Sequence, residues 1–187
     1  MKDKIEYSYY GKYKNKKREV IFTNKADAME MVSLVGLDLA HVSADLRNDK
    51  EVVMAAVKED GRSVEYASEA LKDDRDVVMA AVTQNSFAFE YVSKELIADQ
   101  DFMMAAIEKN GMALEYANEN LKADRDVVMT AISENGWALR FASEALRANR
   151  DVVMAAVSCG GVGLEYAINE LKADRDIVMA AVKQDGL

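Results

Sequence analysis

LKDDRDVVMAAVTQNSFAFEYVSKE, residues 71–95, and LKADRDVVMTAISENGWALRFASEA, residues 121–145, are two copies of one 25-residue pattern. The pattern begins, without insertion or deletion, at Leu46, Leu71, Leu96, Leu121, Leu146 and Leu171. A fixed period of this length is typical of solenoid proteins, in which each unit buries its apolar surface against its neighbours. We number the repeat from 1 to 25, starting at this leucine.

The first part of the repeat predicts a short helix, helix A, over positions 5–14. Asp or Asn stands at position 4, where its side chain can accept a hydrogen bond from a free backbone N–H. Position 6 carries a carboxylate, which the helix dipole favours in the first turn. Position 16 is usually glycine, which suits a left-handed helix C-terminus. Positions 7, 8, 11 and 12 are apolar and share one helix face, so we expect that face to be buried.

The second part predicts another helix, helix B, over positions 17–25. Positions 18, 19 and 22 point together with the next leucine, toward the expected core, whereas positions 20 and 24 are mostly charged. The serines at position 23 are interpreted as the polar margin of helix B. Two helices in every repeat predict an all-α fold, an α-solenoid of helix-turn-helix repeats.

The same frame divides the chain into two regions. Residues 1–20 lie outside the repeat and predict a basic, tyrosine-rich arm or a small β-hairpin cap, because Ile5, Tyr7 and Tyr9 alternate with polar residues. Residues 21–187 form the predicted solenoid. It comprises a degenerate repeat at 21–45, full repeats at 46–70, 71–95, 96–120, 121–145 and 146–170, and a half repeat at 171–187.

The repeat resembles a known one. Residues 121–139 read LxxDRDVVxxAIxxNGxAL, which is similar to a family of short tandem repeats known only as a domain of unknown function. The resemblance covers residues 46–187 well and residues 21–45 weakly. It implies no activity, cofactor or catalytic residue, and it favours an interaction role only by analogy with other arrays.

Charge is distributed unevenly along the chain. Residues 1–20 carry seven Lys or Arg and three Asp or Glu, a net of +4, whereas residues 21–187 carry 17 and 30, a net of −13. An acidic body repels nucleic acid and anionic membrane. The arm interleaves tyrosines with cations, so it is a candidate contact for nucleic acid or an acidic partner. Its candidate residues are Lys12, Lys14, Lys16, Lys17 and Arg18.

Composition predicts a cytoplasmic protein that does not enter a membrane. The single cysteine, Cys159, permits no intrachain disulfide, which favours a reducing compartment. Residues 1–17 contain no apolar stretch typical of a signal peptide. No segment approaches the ~20 apolar residues of a membrane span.

The chain lacks a recognisable catalytic, cofactor or metal motif. His41, the only histidine, stands at position 21 and is interpreted as a packing residue. The Asp-x-Asp steps, such as Asp124 and Asp126, are explained by helix capping, because an EF-hand needs a longer series of oxygen ligands. Methionine at position 9 of every later repeat is interpreted as a packed column rather than a Cu(I) site. We expect no enzyme activity, no cofactor and no metal.

Positions 17 and 21 are the candidate site for a protein partner. Position 21 is aromatic and points away from positions 19 and 22 on the helix B wheel, and position 17 lies one turn earlier on the same side. Position 17 also varies most among the apolar positions, and aromatic and methionine side chains are enriched in interfaces. The candidates are Phe87, Tyr91, Met112, Tyr116, Trp137, Phe141, Val162 and Tyr166. Packing of this side on an adjacent layer is the alternative.

The predicted function is therefore a non-enzymatic repeat scaffold that binds a protein partner along the helix B face. Two alternatives stay open. One is a nucleic-acid-associated protein that uses the basic arm, with the acidic body as a spacer or mimic. The other is an assembly component that stacks end to end through its terminal repeats, since repeats bury surface only against their neighbours.

Overall fold

The computed structural model describes residues 21–185, and within them the side chains of Gly161, Val162 and Asp185 are not described. The predicted arm or hairpin at residues 1–20 lies outside this range. The described elements are helices, joined by one isolated bridge between Phe22 and Val42. The prediction of an all-α fold built from tandem repeats is confirmed.

Long α-helices occupy the helix A positions. Their bounds are Lys25–Val32, Lys50–Glu59, Arg75–Gln84, Gln100–Lys109, Arg125–Glu134, Arg150–Cys159 and Arg175–Asp185. The Asp74 carboxylate accepts hydrogen bonds from the backbone N–H groups of Asp76 and Val77, both at 3.1 Å. The Asn149 amide oxygen accepts the equivalent two bonds at 3.0 and 3.2 Å. Position 4 is thus the N-cap that the sequence predicts.

The core lies on the predicted face of the long helices. Val77, Val78, Ala81 and Val82, at positions 7, 8, 11 and 12, are fully buried. The position 9 methionines of residues 46–170 are half-buried along the edge of this face. The apolar arc of helix A therefore packs as its periodicity predicts.

Helix B is not one continuous α-helix, so this prediction is wrong. Positions 16–21 form 3₁₀ helices at Gly36–His41, Gly61–Tyr66, Ser86–Tyr91, Gly111–Tyr116, Gly136–Phe141 and Gly161–Tyr166. Short α-helices follow at Ala44–Arg47, Glu69–Lys72, Lys94–Ala98, Glu119–Ala123, Glu144–Arg147 and Asn169–Lys172. Each short helix crosses the boundary between two numbered repeats.

The break falls at positions 22 and 23, where the backbone is extended. Ala67 has φ −64° and ψ 160°, and Ser68 has φ −64° and ψ 155°. The Ser68 N–H donates at 3.0 Å to the carbonyl of Arg47, at position 2 of the same numbered repeat, so it is not available for a helical bond. The Ser68 hydroxyl then accepts the Leu71 N–H at 3.4 Å. Position 23 is therefore the N-cap of the short helix rather than the polar margin of helix B.

Glycine at position 16 has a different role from the predicted left-handed turn. These glycines start a 3₁₀ helix, and none of those described has a left-handed φ. Instead they allow close approach between repeats. A Cβ on Gly61 would lie 2.3 Å from the Ala81 carbonyl oxygen, and one on Gly111 would lie 2.1 Å from that of Ala131. A Cβ at Gly61 or Gly111 would clash, because the opposing atom is backbone and cannot move aside. The requirement is not common to all repeats, since position 16 of residues 71–95 is Ser86.

The chain divides into two compact units between Ser93 and Lys94. Within each unit the long helices pack side by side in sequence order, and so do the 3₁₀ helices. Ion pairs reinforce this stacking in both. Lys50 lies 2.8 Å from Asp74 and from Asp76 of the next repeat. Arg150 makes the equivalent contacts in the second unit, with Asp174 and Asp176.

Candidate partner-binding face

A polar residue at position 15 sets the direction of each 3₁₀ helix. The Asn135 N–H donates to the Ala131 carbonyl at 2.9 Å, which closes the long helix. Its side-chain oxygen accepts the Trp137 N–H at 3.0 Å, which caps the 3₁₀ helix. Asn85 and Asn110 make the equivalent caps on Phe87 and Met112. The chain turns within one residue, and position 17 becomes the first side chain beyond the turn.

The 3₁₀ geometry then separates buried from exposed positions. Three residues complete a turn, so positions 17 and 20 lie one above the other. In Gly136–Phe141, Ala138 and Leu139 are fully buried, whereas Trp137 and Arg140 are exposed. Phe141, at position 21, is half-buried beside them. We define the 3₁₀ face as positions 17, 20 and 21 of the repeats, and describe it separately in each unit.

The predicted site residues lie on this face. Phe87 is 59% exposed and Trp137 is 41% exposed. The half-buried members are Tyr91, Met112, Tyr116, Phe141 and Tyr166. The side chain of Val162 is outside the described part. Each of the described candidates is at least partly accessible to solvent. Accessibility permits binding but does not test it, so their role in binding stays a prediction.

Trp137, at position 17, contacts the position 21 residue of the next repeat. The Trp137 ring lies against that of Tyr166, with centroids 5.9 Å apart and planes inclined at 50°. Four residues of an α-helix return to within about 40° of the starting direction, because each turns by about 100°. Four residues of a 3₁₀ helix end about 120° away. Trp137 and Phe141 therefore point in different directions.

Position 20 also belongs to the face, whereas the α-helical wheel predicts only positions 17 and 21 there. Its residues are Glu65, Glu90, Glu115, Arg140 and Glu165. The Arg140 guanidinium carbon lies 4.8 Å from the ring centroid of Phe141 and 5.8 Å from that of Tyr166. Position 20 thus reaches the aromatic residues at position 21 of its own repeat and of the next. The charged residue that recurs three positions after position 17 is the sequence feature that could have identified position 20 as part of the face.

In the first unit, position 20 of residues 46–70 is a carboxylate, that of Glu65. Partial burial, the charge of Glu65 and a hydrogen bond to its carboxylate raise the pKa of Tyr66. Desolvation and the charges of Glu65 and Glu90 raise the pKa of Tyr91, with a further hydrogen bond to Glu65. Glu65 therefore interacts with both tyrosines. We call this cluster, Glu65 with Tyr66 and Tyr91, the Glu65 notch.

Arg62, at position 17 of the same repeat, is held by an ion pair. Its Nη2 lies 2.7 Å from Asp60 Oδ2, and its Nε donates to Asp60 Oδ1 at 3.1 Å. The hydrogen bond from Arg62 lowers the pKa of Asp60, against the opposing effect of partial burial. The positive charge of Arg62 is therefore balanced within its own turn.

Two other residues considered in the sequence lie elsewhere. His41 is exposed rather than packed, with its Nδ1 3.7 Å from Asp38 Oδ1. Cys159 is exposed at the end of its long helix. No group of three or more His, Cys, Asp or Glu side chains within residues 21–185 is arranged to hold a metal ion. In the same range, no helix is both long and apolar enough to cross a membrane.

The sequence profile of one family, described as a domain of unknown function (DUF4116), matches residues 24–72, 56–97, 99–147 and 149–187. The chain belongs to the DUF4116 family. The matches begin within the degenerate repeat and include every later one, which confirms the resemblance seen in the 25-residue pattern. Comparisons with curated proteins and with solved structures each gave no match.

Proposed function

We propose that this DUF4116 chain is a non-enzymatic scaffold that binds a protein partner along its 3₁₀ face. The observation that carries the proposal is the position of its exposed apolar side chains. Phe87 and Trp137 both stand at position 17, in different units, and both are more than 40% exposed. The other large apolar residues exposed in the described range are Ile21, Met179 and Val182, in its first and last segments.

The face has the composition of an interface. Aromatic, methionine and arginine side chains are enriched where proteins bind one another, and a few of them usually supply most of the binding energy. Position 17 is Arg62 or Phe87 in the first unit, and Met112 or Trp137 in the second. The buried positions of the same 3₁₀ helices vary far less. A uniform scaffold that varies at one exposed position suits a surface that discriminates between partners.

Structural roles for the carboxylates that recur in each repeat support a non-enzymatic function. The carboxylates at position 4 cap the long helices, and those at positions 4 and 6 also pair with a cation of the preceding repeat. A general acid or base needs a perturbed group placed beside a substrate cleft. The Asp74 pKa is instead lowered, chiefly by the hydrogen bond from Lys50, which keeps this carboxyl ionised.

The test is quantitative capture of partner proteins on the immobilised full chain. The wild type is compared with Phe87→Ala and Trp137→Ala. Met179→Ala is the matched control, because Met179 is 49% exposed and lies on a long helix rather than on the 3₁₀ face. We expect at least one partner to be lost with both position 17 variants and retained with the control, at unchanged melting temperatures.

Two outcomes contradict the proposal. One is a partner set that is identical for all variants. The other is capture that depends on nucleic acid and disappears after nuclease treatment, which favours the basic arm. The arm alternative predicts that substituting Lys14, Lys16 and Lys17 removes capture and that Phe87→Ala does not.

A further inference from the structure

We propose that the segment bound by the 3₁₀ face of the first unit is basic. An extended stretch of a partner protein would place an arginine or lysine side chain in the Glu65 notch, between Tyr66 and Tyr91. This inference rests on the proposed function and specifies the chemistry of its partner.

The second unit shows that such a notch accommodates a guanidinium group. Arg140 stands at position 20, and its cation lies over Phe141 of its own repeat and Tyr166 of the next. Cations within about 6 Å of an aromatic centroid are attracted to the ring face. In that unit the chain supplies its own cation to the pair of position 21 rings.

In the first unit the corresponding rings have a carboxylate at position 20 instead of a cation, and the charge of Arg62, at position 17, acts on both rings. Tyr66 and Tyr91 stand at position 21 of consecutive repeats, as Phe141 and Tyr166 do, and position 20 is Glu65. Among the described residues, Glu65 makes no ion pair with a lysine or arginine. The nearby Arg62 is engaged by Asp60 in a two-point contact. Within residues 21–185, the notch therefore combines two aromatic rings with a carboxylate that is not ion-paired with a lysine or arginine.

The surroundings of the notch favour the same ligand. Glu90, the position 20 residue of the next repeat, is exposed and influences Tyr91. The half-buried rings of Tyr66 and Tyr91 supply apolar surface for the stem of a long cationic side chain. Residues 21–187 carry a net charge of −13, which steers a basic segment toward the protein.

The repeat spacing specifies the pattern of the ligand. Packed helices lie about 8–10 Å apart, so Glu65 and Glu90 are separated by roughly that distance. An extended polyproline II segment rises about 3.1 Å per residue and has three residues per turn, so every third side chain lies on the same side. A segment with basic residues three apart therefore presents one cation to each carboxylate.

The test measures peptide binding to the full-length chain by fluorescence anisotropy at about 0.15 M salt. The probe is a labelled 12-residue peptide with arginine at every third position and serine or glycine between. The control peptide carries glutamine in place of arginine. The protein variants are Glu65→Gln, Glu65→Arg and the control Glu59→Gln, which neutralises an exposed carboxylate of a long helix.

We expect the arginine peptide to bind and the glutamine peptide not to bind. Glu65→Gln should weaken binding about fivefold or more, and Glu65→Arg, which fills the notch as Arg140 does, by at least about tenfold. Glu59→Gln should stay within about twofold of wild type. Circular dichroism and melting temperature establish that each variant is folded.

Three results overturn the inference. The first is the absence of binding to the arginine peptide. The second is equal weakening by Glu65→Gln and Glu59→Gln, which indicates attraction by overall charge alone. The third is binding that appears only after Lys14, Lys16 and Lys17 are replaced by glutamine, because the chain's own arm is then the occupant. If a partner is lost with Phe87→Ala while the arginine peptide does not bind, the proposed function stands and only the basic character of the partner fails.

Discussion

At the residue scale, one small side chain determines how closely two repeats approach. Gly111 packs against the Ala131 carbonyl of the next repeat, and Gly61 against that of Ala81. Alanine stands at the opposing position 11 of each later repeat, from Ala56 onward, and Ala56, Ala81, Ala106, Ala131 and Ala156 are fully buried. The contact is between backbones, so an added methyl group has to displace a whole helix.

Gly111→Ala is therefore expected to lower the free energy of unfolding by about 1–3 kcal/mol or more, the usual cost of overpacking. Urea denaturation of the full chain measures it. Asn120→Ala is the control, because Asn120 is exposed on the neighbouring short helix. If the two variants unfold at the same urea concentration, the close backbone contact is not present.

Trp137 and Leu139 provide a matched pair in one 3₁₀ helix. Leu139 is fully buried, so Leu139→Ala is expected to cost about 2–5 kcal/mol of stability. Trp137 is 41% exposed, so Trp137→Ala should cost less than about 1 kcal/mol while weakening partner binding. Thermal melting compares them. A loss of stability for Trp137→Ala as large as that for Leu139→Ala would assign Trp137 to the core.

At the scale of the elements, capping residues decide where each helix begins and ends. Position 4 caps the long helix, position 15 caps the 3₁₀ helix and, as Ser68 and Ser143 show, position 23 caps the short helix. The position 4 carboxylate has a second role, because Lys50 of the preceding repeat binds Asp74. Asp74 thus caps the start of its own long helix and also binds that helix to the preceding one.

Because the Asp74 carboxylate pairs with Lys50, we expect the free energy of unfolding to depend on pH. The pKa of Asp74 is lowered, chiefly by the hydrogen bond from Lys50. A carboxyl group whose pKa is depressed by folding contributes stability above its unfolded pKa and loses it as the pH falls through the folded pKa. Asp74→Asn keeps the cap, as Asn149 does, but loses the ion pair.

We expect Asp74→Asn to be less stable than wild type at pH 7 by under about 1 kcal/mol, because the pair is partly exposed. The difference should shrink as the pH falls below about 4, where carboxyl groups become protonated. Urea denaturation from pH 2 to pH 7 measures it, with Asp73→Asn as an exposed control. A difference that stays constant across this range would show that the ion pair is not responsible.

At the scale of the whole molecule, stability is built from contacts between neighbouring repeats. Within each unit the long helices and the 3₁₀ helices contact their counterparts in the adjacent repeats. In such arrays, stability is approximately the sum of repeat and nearest-neighbour terms. A change at one end is therefore expected to act locally.

Deletion of residues 1–20 tests this expectation. Hydrogen exchange should speed up only within residues 21–45 and should be unchanged over residues 46–187. Mass spectrometry of the exchanged peptides provides the comparison with the full chain. Faster exchange along the whole chain, or a general loss of helicity, would contradict nearest-neighbour stabilisation.

Several features follow from the sequence alone, because they depend on groups close together in the chain. The period defines the repeat, Asp74 and its equivalents define the helix starts, and apolar spacing defines the buried face of each long helix. Positions 17 and 21 were also recognised as lying away from the core. Local hydrogen bonds and side-chain periodicity are sufficient for such predictions.

Only the tertiary structure decided the second half of the repeat. The Ser68 N–H bonds to the Arg47 carbonyl, 21 residues earlier in the chain, which interrupts helix B. The Ala81 carbonyl of the following repeat requires glycine at residue 61. The resulting 3₁₀ turn brings Glu65 and Arg140 onto the exposed face and turns Trp137 toward the next repeat. These partners lie about 20 to 30 residues apart in the chain, so local hydrogen bonds and side-chain periodicity do not predict them.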